Sequence, residues 1–270
     1  VYGQELPDAS PVLLGLALGV YGLTQALLQI PLGSLSDRIG RKPVILAGLL
    51  VFAAGSVVAA FASSVWWLIA GRAMQGAGAI AGAVMALLAD STRSEQRTKA
   101  MAIVGVSIGA SFAIALMLGP ALAAWGGLRL VFLTTAGLAL IGVLITLWRI
   151  PAAPIVAEPN DENEQQEWYK NADLWRLNVG VFVLHFTLTA AFMVVPLLLL
   201  NALVLPKESH WQIYAPVLVA SIVGLGLLMR LGERAGRPKL AFGLAVLLLC
   251  FSLLTFESSA GRGYIGLISA

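Results

Sequence analysis

Long stretches without a single charged side chain alternate with short charged clusters along this chain. No Asp, Glu, Lys or Arg occurs between Asp8 and Asp37, or within 43–71, 73–89, 100–128, 130–148, 177–206, 209–229 and 240–256. A helix needs about 20 mostly apolar residues to cross the hydrocarbon core of a bilayer. These windows predict eight transmembrane helices, near 11–34, 43–63, 66–89, 99–123, 129–149, 177–203, 211–231 and 240–257. Period-two alternation is absent, which argues against a membrane β-barrel. The predicted fold class is an all-α polytopic membrane protein.

The one long polar stretch, 151–176, sets Pro151, Pro154 and Pro159 among Glu158, Asp161, Glu162, Glu164 and Glu167. It reads as a linker between two bundles. Residues 1–150 then form a first bundle of five spans. Residues 177–270 begin a second, with three full spans and a truncated one from 264.

Composition agrees with the pattern. The chain is 59% hydrophobic with a mean hydropathy of +0.88, and only 11% of its residues are charged. Soluble domains carry about 25% charged residues, and so apolar a chain would be unable to cover its own surface. That excludes a soluble enzyme and a nucleic-acid partner, and makes the lipid bilayer the first expected partner. The excess of Lys and Arg over Asp and Glu, 17 against 14, therefore reports topology. Arg38, Arg41, Lys42, Arg93, Arg97, Lys99, Arg149, Lys170, Arg176, Arg230, Arg234, Arg237 and Lys239 fall on one side if every predicted span crosses. Arg129, Lys207 and Arg262 fall on the other. The basic side is cytoplasmic by the positive-inside rule, which places the linker there too.

Catalytic and cofactor chemistry has little to work with. One cysteine, Cys250, and two histidines, His185 and His210, leave no disulfide framework and no metal cluster. There is no phosphate-binding glycine loop, His-Glu-x-x-His pair or nucleophile elbow. No cofactor, no metal and no enzyme activity are expected, and nothing indicates an oligomer.

One motif recurs. Gly33-Ser-Leu-Ser-Asp37-Arg38-Ile-Gly40-Arg41-Lys42 follows the first span, and Glu233-Arg234-Ala-Gly236-Arg237 follows the seventh. Acid-Arg-x-Gly-Arg thus returns six spans later on the same side, which implies a six-plus-six repeat in parallel orientation. In that register the first span lacks a preceding partner. The segment is expected to be a fragment, beginning at Val1 after one helix and stopping at Ala270 before others.

The Gly33–Lys42 motif resembles the signature between the second and third helices of the major facilitator superfamily. Arg72-x-x-Gln75-Gly76 resembles that family's fourth-helix pattern. Gly119-Pro120 resembles the fifth-helix pattern of its drug antiporters, with departures at Ala115, Ala123 and Ala124. The resemblance implies a partial major-facilitator bundle that moves a small solute by alternating access, coupled to protons and favouring efflux. It makes Gly33, Asp37, Arg38, Gly40, Arg41 and Asp90 a conformational latch. In it Arg41 pairs with Asp90, and Asp37 faces a helix end of the other half. A transporter-fold sensor or assembly protein is the rival reading, and a polytopic membrane enzyme a more distant one.

The residues leave alternatives open at each position. The charged loop could merely set orientation, although acids contribute little to topology. Arg72, about six residues into its span, could snorkel outward or face a central cavity with Gln75 at i+3. Tyr21, Gln25 and Gln29 form a polar stripe at i, i+4 and i+8, which serves equally as glue between helices or as a cavity wall. His185 is either a packed polar residue or a proton-coupling group, since imidazole titrates near neutral pH. No Asp or Glu lies at mid-depth in any span. Pro120 removes a backbone donor and should kink its helix near Leu116, giving with Gly119 a gating kink or simple packing.

Overall fold

The computed structural model describes residues 6–78, 80–150, 172–201, 211–231, 236, 240 and 243–251. All regular structure among them is helical: α1 (Pro11–Ile39), α2 (Arg41–Ala60), α3 (Val65–Ala77), α4 (Ala81–Asp90), a short 3₁₀ turn (Ser94–Gln96), α5 (Arg97–Arg149), α6 (Ala172–Asn201) and α7 (Trp211–Met229). Residues 243–251 are also helical. By length and composition, four helical stretches are apolar enough to cross a membrane: Pro11–Ile39, Arg41–Ala60, Val65–Asp90 and Ser94–Arg149. The expected truncated span from 264 and the 151–171 part of the linker lie outside the described residues.

The signature segment is not a loop. α1 remains helical through Ile39, well past the expected end at 34, and α2 begins at Arg41. The corner is Gly40 alone, with φ 96° and ψ 152°, a conformation that a side chain would strain. Pro43 then falls in the first turn of α2, where its missing N–H has no helical partner to lose. At the opposite end of α1, Ser10 caps the helix by accepting from the Leu13 N–H at 3.2 Å.

The expected span 66–89 is broken in two. α3 stops at Gly78, whose N–H bonds back to the Met74 and Gln75 carbonyls, and α4 restarts at Ala81. Gly78 lies so close to α2 that a Cβ there would be 2.5 Å from the Gly48 carbonyl oxygen and 2.8 Å from Phe52 Cβ. The expected spans 99–123 and 129–149 instead run together as the 53 residues of α5. At 1.5 Å per residue a straight helix of that length would reach about 80 Å, far beyond a bilayer core of about 30 Å. Gly126 (φ −146°) and Gly127 (φ 63°) leave helical dihedrals and divide it where the sequence placed a connection.

By compactness the chain divides into two units: Val1–Gly109 with Leu122–Thr187, and Ala110–Ala121 with Leu188–Ala270. In the first, α3 packs against α1 and α2 through small residues. A Cβ on Gly55 would meet Gln75 N at 2.6 Å, and one on Gly71 would meet Ala59 N at 2.7 Å. Such close approach replaces the hydrophobic drive that helices lack in lipid. Two small apolar clusters complete it. Ala17, Ala59 and Leu68 gather Leu14, Ile69 and Phe132, while Val44, Ile45 and Ala83 gather Leu32, Leu49, Ile80 and Leu87.

Candidate functional site

Two polar clusters occupy different levels of the first unit. At the α1–α2 corner, Arg41 projects from the first turn of α2 and pairs with two acids. Its Nε donates to Asp90 Oδ2 at 3.0 Å, and its Nη1 forms an ion pair with Asp37 four residues earlier. Nη1 also donates to Ser36 Oγ at 2.7 Å, and Ser36 Oγ donates to the Gly33 carbonyl at 2.6 Å. The Gly40 corner makes this possible, because it turns α2 back so that position 41 meets the end of α4. Arg41 is 17% exposed, Asp37 59% and Asp90 45%, so the cation is sheltered while the anions face solvent. Lys42 takes a different course: its Nζ donates to the Leu147 and Ile150 carbonyls, at 3.1 and 2.6 Å, at the C-terminal end of α5.

The second cluster is set in the helices. Arg72 Nη1 donates to Gln75 Oε1 at 2.8 Å, Gln75 Nε2 to Ser56 Oγ at 2.7 Å, and Ser56 Oγ to the Phe52 carbonyl at 2.8 Å. Arg72 Nε donates to the Ala17 carbonyl at 3.3 Å, and its guanidinium carbon lies 4.4 Å from the centre of the Tyr21 ring. Gln75 is 2% exposed and Ser56 0%. The chain of donors therefore joins α1, α2 and α3 with every buried member bonded, as a polar group in an apolar interior requires. Arg72 is half-buried against α1. Thr24 adds a further tie, with Oγ1 3.1 Å from the Ala73 carbonyl.

A corner of the sequence Gly-x-x-x-Asp-Arg-x-Gly-Arg-Lys is therefore built into an ion-paired joint, in the same unit as a bonded Arg-x-x-Gln pair. Comparison with known proteins decides what such an arrangement belongs to. The profile of the Major Facilitator Superfamily matches residues 4–270, nearly the whole chain. The chain belongs to the major facilitator superfamily. It is 47% identical over 224 residues to the inner membrane transport protein YajR of Escherichia coli K12, which covers 81% of this chain and 49% of YajR. It is 40% identical over 225 residues to an uncharacterized transporter of Buchnera aphidicola subsp. Schizaphis graminum, covering 82% and 57% respectively. A tetracycline resistance protein of class B from Escherichia coli is 37% identical over 114 residues, 42% of this chain and 27% of that one. The chain thus spans about half the length of the first two. With these apolar helices, it is a multi-pass inner-membrane protein of this superfamily.

Not every residue singled out from the sequence joins a cluster. Arg38 is exposed beside the joint, and Gly33 serves through its carbonyl. Gln25 is half-exposed and Gln29 exposed further along α1, while His185 lies exposed on α6. A cavity of about 130 Å³ between α1 and α2 is lined by Leu32, Leu35, Ile39, Pro43 and Val44 among others, and by none of Tyr21, Gln25, Gln29, Arg72, Gln75 and His185. Gly119 and Pro120 are both inside α5, and the departure from helical dihedrals lies further on, at Gly126–Gly127, in the connection expected between the spans 99–123 and 129–149. A proline inside a helix removes one hydrogen bond, whereas Gly127 adopts a positive φ that ends the helical path outright. In the second copy of the motif, Glu233, Arg234 and Arg237 lie outside the described residues. Gly236 is described, and its φ of 63° is positive like that of Gly40.

Sequence reasoning misses Ser36, Ser56 and the separate role of Lys42. Serines in apolar helices give no periodic signal, and Lys42 looks like one more topogenic cation. Gly126–Gly127 does carry a signal: a double glycine between two charge-free windows, just before Arg129.

Proposed function

We propose that this chain is part of a secondary active transporter that moves a small amphipathic solute by alternating access, coupled to protons and running in the efflux direction. The observation that carries the reading is Arg41 gripping Asp37 and Asp90 across a one-residue corner. A loop serving topology alone needs cations and no geometry, whereas this joint fixes the ends of three helices. Asp37, largely exposed beyond its pair, is free to act on the facing half of the intact protein, where a helix N-terminus would favour its charge by about 0.3–2 kcal/mol. Gly33, Asp37, Arg38, Gly40, Arg41 and Asp90 would then latch the outward-open state. The motif repeated at Glu233–Arg237 would do the same in the second half.

In this proposal the chain contributes eight spans of a six-plus-six arrangement, divided by a cytoplasmic linker at 151–176, with the Arg41 corner on the cytoplasmic side. Tyr21 and Arg72 form one wall of the solute path, with Gln75 buried behind them, and His185 is the candidate for the titrating group. The superfamily relatives support the class of activity, and the tetracycline resistance protein among them supports outward movement of an amphipathic solute. The test is efflux by the full-length protein in proteoliposomes with an imposed pH gradient, using tetracycline among the solutes offered. Solute movement that collapses with the gradient supports the proposal. Saturable movement indifferent to the gradient removes proton coupling. No movement of any solute, with intact folding, favours a sensor that kept the fold.

A further inference from the structure

Arg129 is a cation on the side where the charge pattern places few, and nothing in the latch or the solute path uses it. It opens the second arm of α5, directly after the Gly126–Gly127 break. Its guanidinium carbon lies 4.3 Å from the centre of the ring of Phe61, the residue that closes α2 at the end opposite Arg41. Arg129 makes no ion pair among the described residues. Phe61 also lines a cavity of about 240 Å³ with Val58, Ser63 and Trp67. Arg129, Phe61 and Trp67 are all exposed, as is the adjacent Trp66.

The chemistry of this corner is specific. A guanidinium stacked on a ring engages its face and leaves its in-plane N–H donors unused by the stack. Those donors match a phosphate, which accepts them in pairs. Trp side chains prefer the headgroup level of a bilayer, and Val58 and Trp67 continue the site with apolar surface. A free anion would have no use for that surface, and an uncharged acyl chain no use for the cation. We propose that Arg129, Phe61 and Trp67 bind an anionic phospholipid, its phosphate on Arg129 and the upper part of an acyl chain against Val58 and Trp67. Charge complementarity commits the site to this occupant, because the cation has no acid partner among the described residues and the surrounding bilayer supplies the anion.

The test uses the full-length protein in vesicles of phosphatidylcholine and phosphatidylglycerol doped with a photoreactive phosphatidylglycerol. Labelled positions are mapped by peptide mass spectrometry. The segment 58–67 should be labelled, several-fold less in Arg129→Gln, and to an intermediate extent in Arg129→Lys, which keeps the charge but not the paired donors. Labelling around Trp148, at the other helix ends, should stay constant and reports folding. If Arg129→Gln misfolds, competition against the wild type decides: unlabelled phosphatidylglycerol should displace the label and inorganic phosphate should not. Undiminished labelling in a folded Arg129→Gln overturns the proposal. So does equal labelling by photoreactive phosphatidylcholine, or displacement by inorganic phosphate.

Discussion

Because Arg41 is held by two carboxylates at once, charge substitutions at its corner should not behave as a simple pair. Two unit charges about 4 Å apart attract by about 4 kcal/mol at an effective dielectric of about 20, yet exposed pairs yield only about 0.2–1 kcal/mol once desolvation and side-chain entropy are included. Asp90 and Asp37 are half-exposed and Arg41 is sheltered, so each pair belongs near the top of that range. Asp37→Asn and Asp90→Asn should each destabilise by about 1 kcal/mol. Arg41→Ala removes both pairs and strips the nearly buried Ser36 of a donor, for about 2–3 kcal/mol in all. In thermal melts of the full-length protein in detergent, the Arg41→Ala shift should therefore be at least twice either single shift. The swap of Arg41→Asp with Asp90→Arg should fail to recover stability or transport, because it sets a new carboxylate against Asp37. Adding Asp37→Asn to the swap should recover much of the loss. Full recovery by the double swap alone would show that Asp37 contributes nothing to the joint, and a wild-type melt for Arg41→Ala would remove the joint from the account.

Three further outcomes follow from other contacts. Gly76→Ala should lower stability sharply, because its Cβ would run into Thr24 Oγ1 and the Tyr21 carbonyl, whereas Gly105→Ala, with open space around it, should be near neutral in the same melts. Gln75→Leu should destabilise by about 1–3 kcal/mol through the buried Ser56 and the Arg72 donor left without their partner, while Gln75→Glu should melt nearer wild type because its carboxylate still accepts from Arg72. Lys42→Met, which keeps bulk and loses two charge-assisted bonds to the end of α5, should speed amide exchange at the α5 C-terminus without altering the Arg41 pairs; unchanged exchange there would show that the Lys42 contacts do not hold that end.

The helical class is legible in the sequence because a charge-free window of bilayer length suits little besides a membrane span. The turn at Gly40 is legible on different grounds, from a glycine set among charges, whereas the Arg41–Asp90 pair is suggested only by the family resemblance. How the helices meet stays hidden. The break at Gly78 depends on the approach of Gly48 and Phe52 from α2, which no local pattern encodes. The division of α5 at Gly126–Gly127 falls between two charge-free windows, where the sequence already separates the spans 99–123 and 129–149. Arg72 admits two readings from sequence because depth alone does not choose between them. In the structure the Tyr21 ring and the Ala17 carbonyl of α1 hold it, contacts set by how α1 and α3 face each other, together with Gln75 one turn along its own helix.

These contacts also say which part of the chain behaves as one body. α2 is fastened to the second arm of α5 at both ends, by Lys42 on the Leu147 and Ile150 carbonyls and by Arg129 on the Phe61 ring. Between them, Gly142 lies close enough that a Cβ would meet Leu49 at 3.4 Å. α2 is in turn seamed to α3 through Gly55 and Gly71, and α3 to α1 through Gly76 and the Arg72 network. A rocking transporter needs each half to move without deforming, and well-packed interfaces shift as units rather than bending. Ties at both ends of a helix resist tilt far better than a single tie at its middle, because each acts with the full helix length as lever. The pairing of a cation at one end with a stacked cation at the other thus holds α2 to the Gly127–Arg149 arm, while the glycine seams and the Arg72 network join α3 and α1 to α2.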